Sequence, residues 1–423
     1  MSSSTAPSST DYDSGIEVEV LPFVRVPILD RNVQLAAYDI RHQTSDDGAD
    51  LASATLQLFG LVSLLEQLTG NQLSFLAVDE ELLRRQAELL RFDQRLGPRV
   101  DVGLATCDDA YAVLRGMATR GVPVMIDNLV WPDGLTEASA ARLDELAQLA
   151  SHVSIDPRGH DDTTLQRSVA RLRAADAIIV ASCLEDHAEH SACMDLGFDA
   201  FEGPYLFKPP PKNPTDTLKP SRLNVLRLLA AVQNPDNGPI ELEKLIRNDA
   251  VLSYKLLGCV NSAYFGLPRE LKSLQQAAVY FGVTRIRNWV YAMALGDLDD
   301  TPPEVLKQAL LRARMGELLS RHMRPEYREM CFTMGLFSLL DTIMGIPMER
   351  VLADVPVADE VRDALVGGSG PLASVLQQIR AWESGHIVRA TSGNGLVVDL
   401  AEAYLDSLEW AEHVYSHAQR KVA

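Results

Sequence analysis

Four acidic side chains in the first half of the chain sit where short apolar runs end. They are Asp39 in Tyr38-Asp39-Ile40, Asp127 in Ile126-Asp127-Asn128, Asp156 in Ser154-Ile155-Asp156 and Glu185 in Ala181-Ser182-Cys183-Leu184-Glu185. Carboxylates at successive strand ends are what a barrel enzyme uses to hold metals at its C-terminal face. Ser and Asn alternate with the acids here, so the expected pocket has few anions with which to retain divalent cations. Taken singly, Asp127, Asp156 and Glu185 are equally well explained as polar strand ends and caps.

The elements that would position these groups follow from periodicity. Val24-Arg25-Val26-Pro27-Ile28-Leu29 and Val33 to Tyr38 flank Asp30-Arg31-Asn32 and predict a hairpin with a loop of about three residues. Helical spacing then predicts a helix over Leu51–Leu68, another near Glu80–Leu90 and a third over Asp109–Arg120. Short apolar runs predict strands at Leu73–Val78, Val100–Leu104, Val122–Ile126, Val153–Ile155 and Ala177–Ala181. The alternation implies a parallel sheet with helices outside, in number suited to a closed α/β barrel. Lys208-Pro209-Pro210-Pro211 to Pro220 reads as a stiff proline-rich connector. Beyond it the pattern is all-helical: Leu223–Val232, Ile240–Arg247, Ala250–Val260, Leu274–Phe281, Ile286–Leu295 and Pro303–Leu319. Ser273 with Gln276 forms a capping box, and Gly282 is placed to end that helix. The expected division is a polar tail over 1–20, a barrel over 21–208, a linker over 209–221, a helical domain over 222–410 and a tail over 411–423.

With 58 acidic against 39 basic residues the formal charge is -19, which repels nucleic-acid phosphate and anionic membranes. The 47% hydrophobic content of these 423 residues supplies sizeable cores. Cys107, Cys183, Cys193, Cys259 and Cys331 show no paired spacing, which argues for a reducing compartment. No membrane span or secretion signal is expected, so the expected location is cytoplasmic. Cys183, His187, His190 and Cys193 spread over nearly three helical turns and cannot surround one ion. No metal, cofactor or nucleic acid is expected. Gly282-Val283-Thr284 with Arg285 and Arg287 reads as a solvated helix start, not a DNA-reading turn.

Phe23 to Asp30 leading to Ala37-Tyr38-Asp39, the Asp127 strand end, Ile155-Asp156, and Leu196-Gly197-Phe198-Asp199-Ala200-Phe201-Glu202-Gly203-Pro204-Tyr205-Leu206-Phe207-Lys208-Pro209 together resemble the EAL family of cyclic di-GMP phosphodiesterases. The resemblance implies a TIM-like barrel in which active members hold two metals for in-line attack on a phosphodiester. It also implies departures. Asp39 stands for the signature Glu, with Ile40, Arg41 and Gln43 following it. Ala77 replaces a ligand Asn, Asn128 the second paired aspartate, Ser154 a Lys, Ser182 a Glu, and Glu202 a closing Gln. The vestigial pocket is thus Asp39, Asp127, Asp156, Glu185 and Glu202, and hydrolysis is not expected.

Asn248-Asp249-Ala250-Val251-Leu252 and Leu256 to Phe265, with Ser273–Gly282 and Gly335–Asp341, resemble the HDOD family. Asp249 and Asn261 read as a cap and a turn former. Ser338 and Leu339 stand where related metal-dependent hydrolases carry a His-Asp pair, so no hydrolase centre is implied. The combined order resembles EAL-HDOD signalling proteins over about residues 22 to 400. It implies a non-catalytic bacterial signal-transduction protein acting by protein contacts in cyclic di-GMP or two-component circuits, with response regulators or cyclic di-GMP enzymes as partners. Alternatives are a cyclic di-GMP sensor, although binding of that nucleotide is not expected, and a weak metal-dependent phosphodiesterase.

Overall fold

A computed structural model describes residues 23–42, 44–45, 68–80, 83, 92–211, 219–233, 240, 244–246, 249–298, 300–387 and 394–420. Eight strands close a barrel: β1 Phe23–Asp30, β2 Leu35–His42, β3 Ser74–Ala77, β4 Leu96–Asp101, β5 Met125–Asp127, β6 His152–Ile155, β7 Ile178–Ala181 and β8 Ala200–Phe201. β1 runs antiparallel to both neighbours, β2 and β8, and every other pairing is parallel. The β1–β2 hairpin turns over four residues because the Asp30 carboxylate accepts from the Asn32 and Gln34 backbone N–H groups, each at 2.8 Å. Helices α1 Asp108–Thr119, α2 Glu137–Leu149, α3 Asp162–Ala174 and α4 His187–Leu196 lie among the later strands. Inside the barrel Ile28, Ala37, Phe75, Met125, Val180 and Ala200 pack together, as the two-residue side-chain period requires.

Two strands differ from expectation. The run expected at Val100–Leu104 is a strand from Leu96 to Asp101, and Val102–Ala105 turns helical because the Asp101 carboxylate accepts from Gly103 N at 2.7 Å. The apolar signal was diluted by Gly97 and Pro98. Gly97 is required, since a Cβ there would meet the Pro123 carbonyl oxygen at 1.9 Å. The run expected at Val122–Ile126 contributes only Met125–Asp127 to the sheet. The helix expected over Leu51–Leu68 lies outside the described residues except at its end, and so does most of the one near Glu80–Leu90.

The second half is helical: α5 Pro220–Gln233, α6 Ala250–Val260, α7 Leu274–Phe281, α8 Val283–Gly296, α9 Pro303–Leu319, α10 Pro325–Phe337, α11 Gly370–Glu383 and α12 Asn394–Ala418. Local chemistry sets their ends. Asp249 caps α6 by accepting from Leu252 N at 2.9 Å, and Ser273 caps α7 by accepting from Gln276 N at 3.2 Å. The Gln276 side chain returns the contact, its Oε1 accepting from Lys272 N at 2.8 Å. Asn261 holds its turn from both sides, accepting from Leu271 N at 2.7 Å and donating to Leu271 O at 2.8 Å. The 411–423 segment expected as a tail is helical to Ala418, because Ala411, Val414 and Ala418 are buried in the same core. Among the described residues no single helix is long and apolar enough to cross a membrane.

The hairpin joins the two halves. Paired residues Arg25 and Ile40, and Pro27 and Tyr38, point away from the barrel interior. Arg25 donates to Leu68 O at 2.7 Å and to Glu412 of α12 at 2.8 Å, while its backbone N–H donates to the Tyr404 hydroxyl at 3.1 Å. Its guanidinium lies 4.5 Å from the Tyr38 ring centre, and the Tyr38 hydroxyl donates to Glu304 of α9 at 3.1 Å. Lys307 bridges Glu304 and Glu412 at 3.0 and 3.2 Å. Replacing Arg25 by Met keeps the aliphatic packing and removes the charged donor. Loss of its charge-assisted hydrogen bonds is expected to cost about 1.5–3 kcal/mol and to split one calorimetric unfolding transition into two; an unchanged single transition would show that this contact does not couple the halves.

Candidate functional site

The C-terminal half of β2 puts Asp39 and Arg41 on one face, two residues apart and directed into the barrel mouth. Arg99 rises from β4, Asp127 ends β5, and Glu202 follows β8. Glu202 is fixed by its backbone: its N–H donates to Ala181 O at 2.8 Å and its carbonyl accepts from Leu184 N at 3.1 Å. Gly203, at φ 150, permits that crossing, because a Cβ would lie 2.3 Å from Leu184 O.

These five side chains form one network. Arg99 Nε donates to both carboxylate oxygens of Asp127 at 2.9 Å, and its Nη1 donates to Asp39. Arg41 Nε donates to Asp39 at 2.5 Å, and its Nη2 donates to Glu202. Arg99 also stands 3.8 Å from Glu202. Asp39 and Glu202 are fully buried, at 0% and 1% exposure, so these are contacts in a low-dielectric setting. Burial alone would raise the Asp39 carboxyl, but Arg99 and Arg41 hold it below the usual carboxylate range. Asp127 goes the other way: its burial raises it and Arg99 only partly offsets that.

The EAL resemblance implies two divalent ions at such a mouth. Three carboxylates remain, and two guanidinium groups already occupy the space between them. Asp39 Oδ1, Glu202 Oε2 and Ser154 Oγ are buried without a hydrogen bond among the described residues. Each divalent ion takes about six oxygen ligands, and three free oxygens beside two fixed cations do not supply them. The residues present do not fit a metal pair.

The other sequence-predicted positions lie around this network. Asp156 and Glu185 are at the rim: Asp156 accepts from Arg158 at 2.8 Å, and Glu185 accepts from Lys208 at 3.2 Å. The Arg158 hydrogen bond holds the Asp156 carboxyl below its ordinary value, against its slight burial. Asn128, at φ 53, turns its side-chain oxygen to Asp156 N at 3.2 Å, away from Asp127. Ser154 and Ser182 are buried at the ends of β6 and β7, Ala77 is exposed at the end of β3, and Gln43 lies outside the described residues. Cys183, His187, His190 and Cys193 surround no common point; His187 and His190 instead pack on the Tyr205 ring.

A cavity of about 710 Å³ opens above the network, and its far wall belongs to the helical domain. Arg41, Glu202 and Lys208 line one side, and Arg312, Ser338 and Arg380 the other. Ser338 and Leu339, the positions that the family resemblance sets against a His-Asp pair, therefore face the barrel mouth across one space. Ser338 Oγ donates to Gly335 O at 2.7 Å and accepts from Arg312 at 3.2 Å, and Arg312 forks onto Glu383 at 2.7 and 2.8 Å. Burial raises the nearby Asp341 carboxyl, while burial and then Arg312 lower Arg380. Sequence reasoning missed Arg99 because the expected strand began one residue after it; Arg41 was noted only as a departure from a motif.

Comparison with known proteins agrees with this division. Residues 220–347 match the HDOD domain model. An "Uncharacterized protein YuxH" of Bacillus subtilis is 24% identical over 406 residues, 92% of this chain and 98% of that protein. A Vibrio cholerae protein described as "Cyclic di-GMP phosphodiesterase CdgJ" is 28% identical over 289 residues, 66% of this chain and 64% of that one. The Bacillus subtilis YkuI protein, with an EAL domain, aligns over 63% of this chain and 74% of its own, with a TM-score of 0.36 and 14% identity, too distant to carry argument. A closed eight-stranded barrel with an antiparallel first strand, followed by a helical HDOD domain, defines the class of protein. Residues 220–347 thus form an HDOD domain, and the barrel before it has the fold that the EAL resemblance implies.

In the native chain the depressed Asp39 contributes stability at neutral pH that is lost as pH falls through its folded-state value. Arg99→Met reverses the sign, leaving a buried carboxylate short of a counter-charge and pushing it up. The variant is expected to lose about 3–5 kcal/mol near neutrality and to recover part of that on acidification toward about pH 5. Urea titrations at both pH values check this; equal losses at both would mean that Arg99 serves packing and not charge.

Proposed function

We propose that this chain is a non-catalytic signal-transduction protein that acts by binding other proteins in cyclic di-GMP or two-component circuits. The observation that carries the reading is the Arg41 and Arg99 pair, which binds to Asp39, Asp127 and Glu202 where a hydrolase of this fold needs metal ligands. A tethered guanidinium can pair with a carboxylate or a phosphate, but it cannot deliver hydroxide. The HDOD domain supports the same reading, since Ser338 and Leu339 offer no metal-binding imidazole or carboxylate at their positions. Response regulators and cyclic di-GMP enzymes are the partners this reading names.

A second reading is favoured by the cavity. Arg41, Arg158, Lys208, Arg312 and Arg380 all reach it, and among the described residues the Arg380 guanidinium makes no hydrogen bond or ion pair within 4 Å, with Glu383 and Asp341 only partly compensating its charge. Its volume falls within the range of about 300–1,000 Å³ usual for small-molecule pockets, so it suits an anion such as cyclic di-GMP, bound without hydrolysis.

The purified chain, incubated with cyclic di-GMP and Mg²⁺ or Mn²⁺, is expected to release no linear dinucleotide. Turnover would overturn the first reading. Calorimetric titration with cyclic di-GMP alone decides the second: heat that disappears in Arg380→Ala supports a sensor, and no heat at high ligand removes it.

A further inference from the structure

A second group of metal-binding side chains lies in the helical domain, far along the chain from the barrel mouth. Cys259 is in the last turn of α6, and His413 and His417 are in the last turns of α12. One ligating atom from each of the three lies within 4.8 Å of those of the other two. We propose that Cys259, His413 and His417 form a binding site for one borderline-soft divalent transition metal, of which zinc is the type.

The donor chemistry fits. One thiolate and two imidazoles make the three-ligand set that zinc accepts with a fourth, open position. His413 and His417 are four residues apart and so share one helix face. Tetrahedral bonds of about 2.0–2.3 Å place ligand atoms roughly 3.3–3.8 Å apart, so closure from the present spacing needs only side-chain rotation. Cys259 is fully buried, and its sulfur makes no hydrogen bond among the described residues. His417 Nδ1 donates to the His413 carbonyl at 3.0 Å, the outer hydrogen bond that metal-binding histidines commonly make, which leaves its Nε2 as a lone pair. Its Cδ2 is the nearest atom to a Cβ built on Gly258, at 4.0 Å, so the ring edge that carries Nε2 lies beside α6.

The surroundings favour a cation as well. α6 and α12 both end here, and the carbonyl-rich end of a helix carries partial negative charge. His413 is half-buried, stacked on Tyr264 at 4.6 Å and hydrogen-bonded through Nε2 to Ser262 Oγ at 2.8 Å, and it offers the solvent side through which an ion enters. Binding replaces the thiol proton of Cys259 with the metal, and that proton leaves to solvent. The ion would staple α12, which holds Arg25 of the barrel through Tyr404 and Glu412, to the helix carrying the HDOD signature.

The test uses the untagged full chain, reduced, stripped with chelator and titrated with Co²⁺ and then Zn²⁺. About one ion per chain is expected, with a thiolate-to-cobalt charge-transfer band, displacement of Co²⁺ by Zn²⁺ and a raised melting temperature. Cys259→Ser is expected to lose the charge-transfer band with unchanged circular dichroism. His413→Gln, at a half-exposed position that tolerates polarity, keeps the test decisive if the buried variant fails to fold: it should weaken Zn²⁺ at least tenfold. Failure to retain either metal, cobalt bound without the thiolate band, or binding untouched by His413→Gln would each overturn the site. None of these outcomes bears on the barrel, so the functional reading above stands or falls separately.

Discussion

The Arg99 guanidinium, forked onto Asp127 and bonded to Asp39, is the contact on which the barrel mouth depends. A closed barrel directs alternate side chains of every strand into a narrow interior, and here that places Asp39 and Glu202 out of water and Asp127 largely so. Isolated buried carboxylates would protonate or destabilise the fold, so counter-charge has to be supplied within a few ångströms. In this chain the counter-charge is covalently attached. Arg41 and Arg99 bring +2 against the -3 of the three acids, and they bring it at no cost in binding a free ion. Any exogenous cation then meets two fixed positive groups before it meets a free oxygen.

β2 carries this arrangement to the rest of the molecule. Its inward residues Asp39 and Arg41 belong to the charge network, while its outward residue Tyr38 bonds Glu304 of the helical domain, under the Arg25 guanidinium. A strand shifted by one residue would exchange these sets and leave both surfaces wrong. The register that pairs Arg25 with Ile40 and Val26 with Asp39 is therefore held twice, once by charges inside the mouth and once by the domain contact outside. The apolar core runs without a break from Ile40 and Leu68 through α9 and α12, so the two domains bury surface against each other and not merely across a linker.

Helices were legible wherever their determinants were local. Ala250–Val260, Leu274–Phe281 and Pro303–Leu319 have the bounds that their caps and periodicity imply, because Asp249, Ser273 and Pro303 act on the next turn of chain alone. The hairpin and barrel were legible from alternation. The mouth was only half legible. Asp39, Asp127 and Glu202 stand out as acids at strand ends, but the groups that answer them do not, because a part-buried Arg inside Leu-Gly-Pro-Arg-Val-Asp looks like a loop until the strand register is known. The same limit hid the end of α12: Glu412, His413 and Ser416 read as polar tail, and the burial of Val414 and His417 comes from α6 and α8, more than 100 residues away in sequence.

The cavity above the mouth follows from the same domain contact. With α9 and α12 seated on the β1–β2 hairpin, α11 is carried over the open end of the barrel, and Arg312, Arg380 and Glu383 become its roof. The floor is a charge network paired internally except for one net negative charge, and the roof contains a second pair, Arg312 with Glu383. Between these layers the guanidinium with least compensation is that of Arg380, since the rim cations Arg158 and Lys208 are already paired with Asp156 and Glu185. An anion entering there would touch barrel and HDOD residues at once, so its binding energy would depend on how the domains sit together, and by linkage would act back on that seating. On the reading proposed above, the pair of arginines that fills the floor would leave the boundary between the two domains, not the inside of one, as the place where a ligand is held.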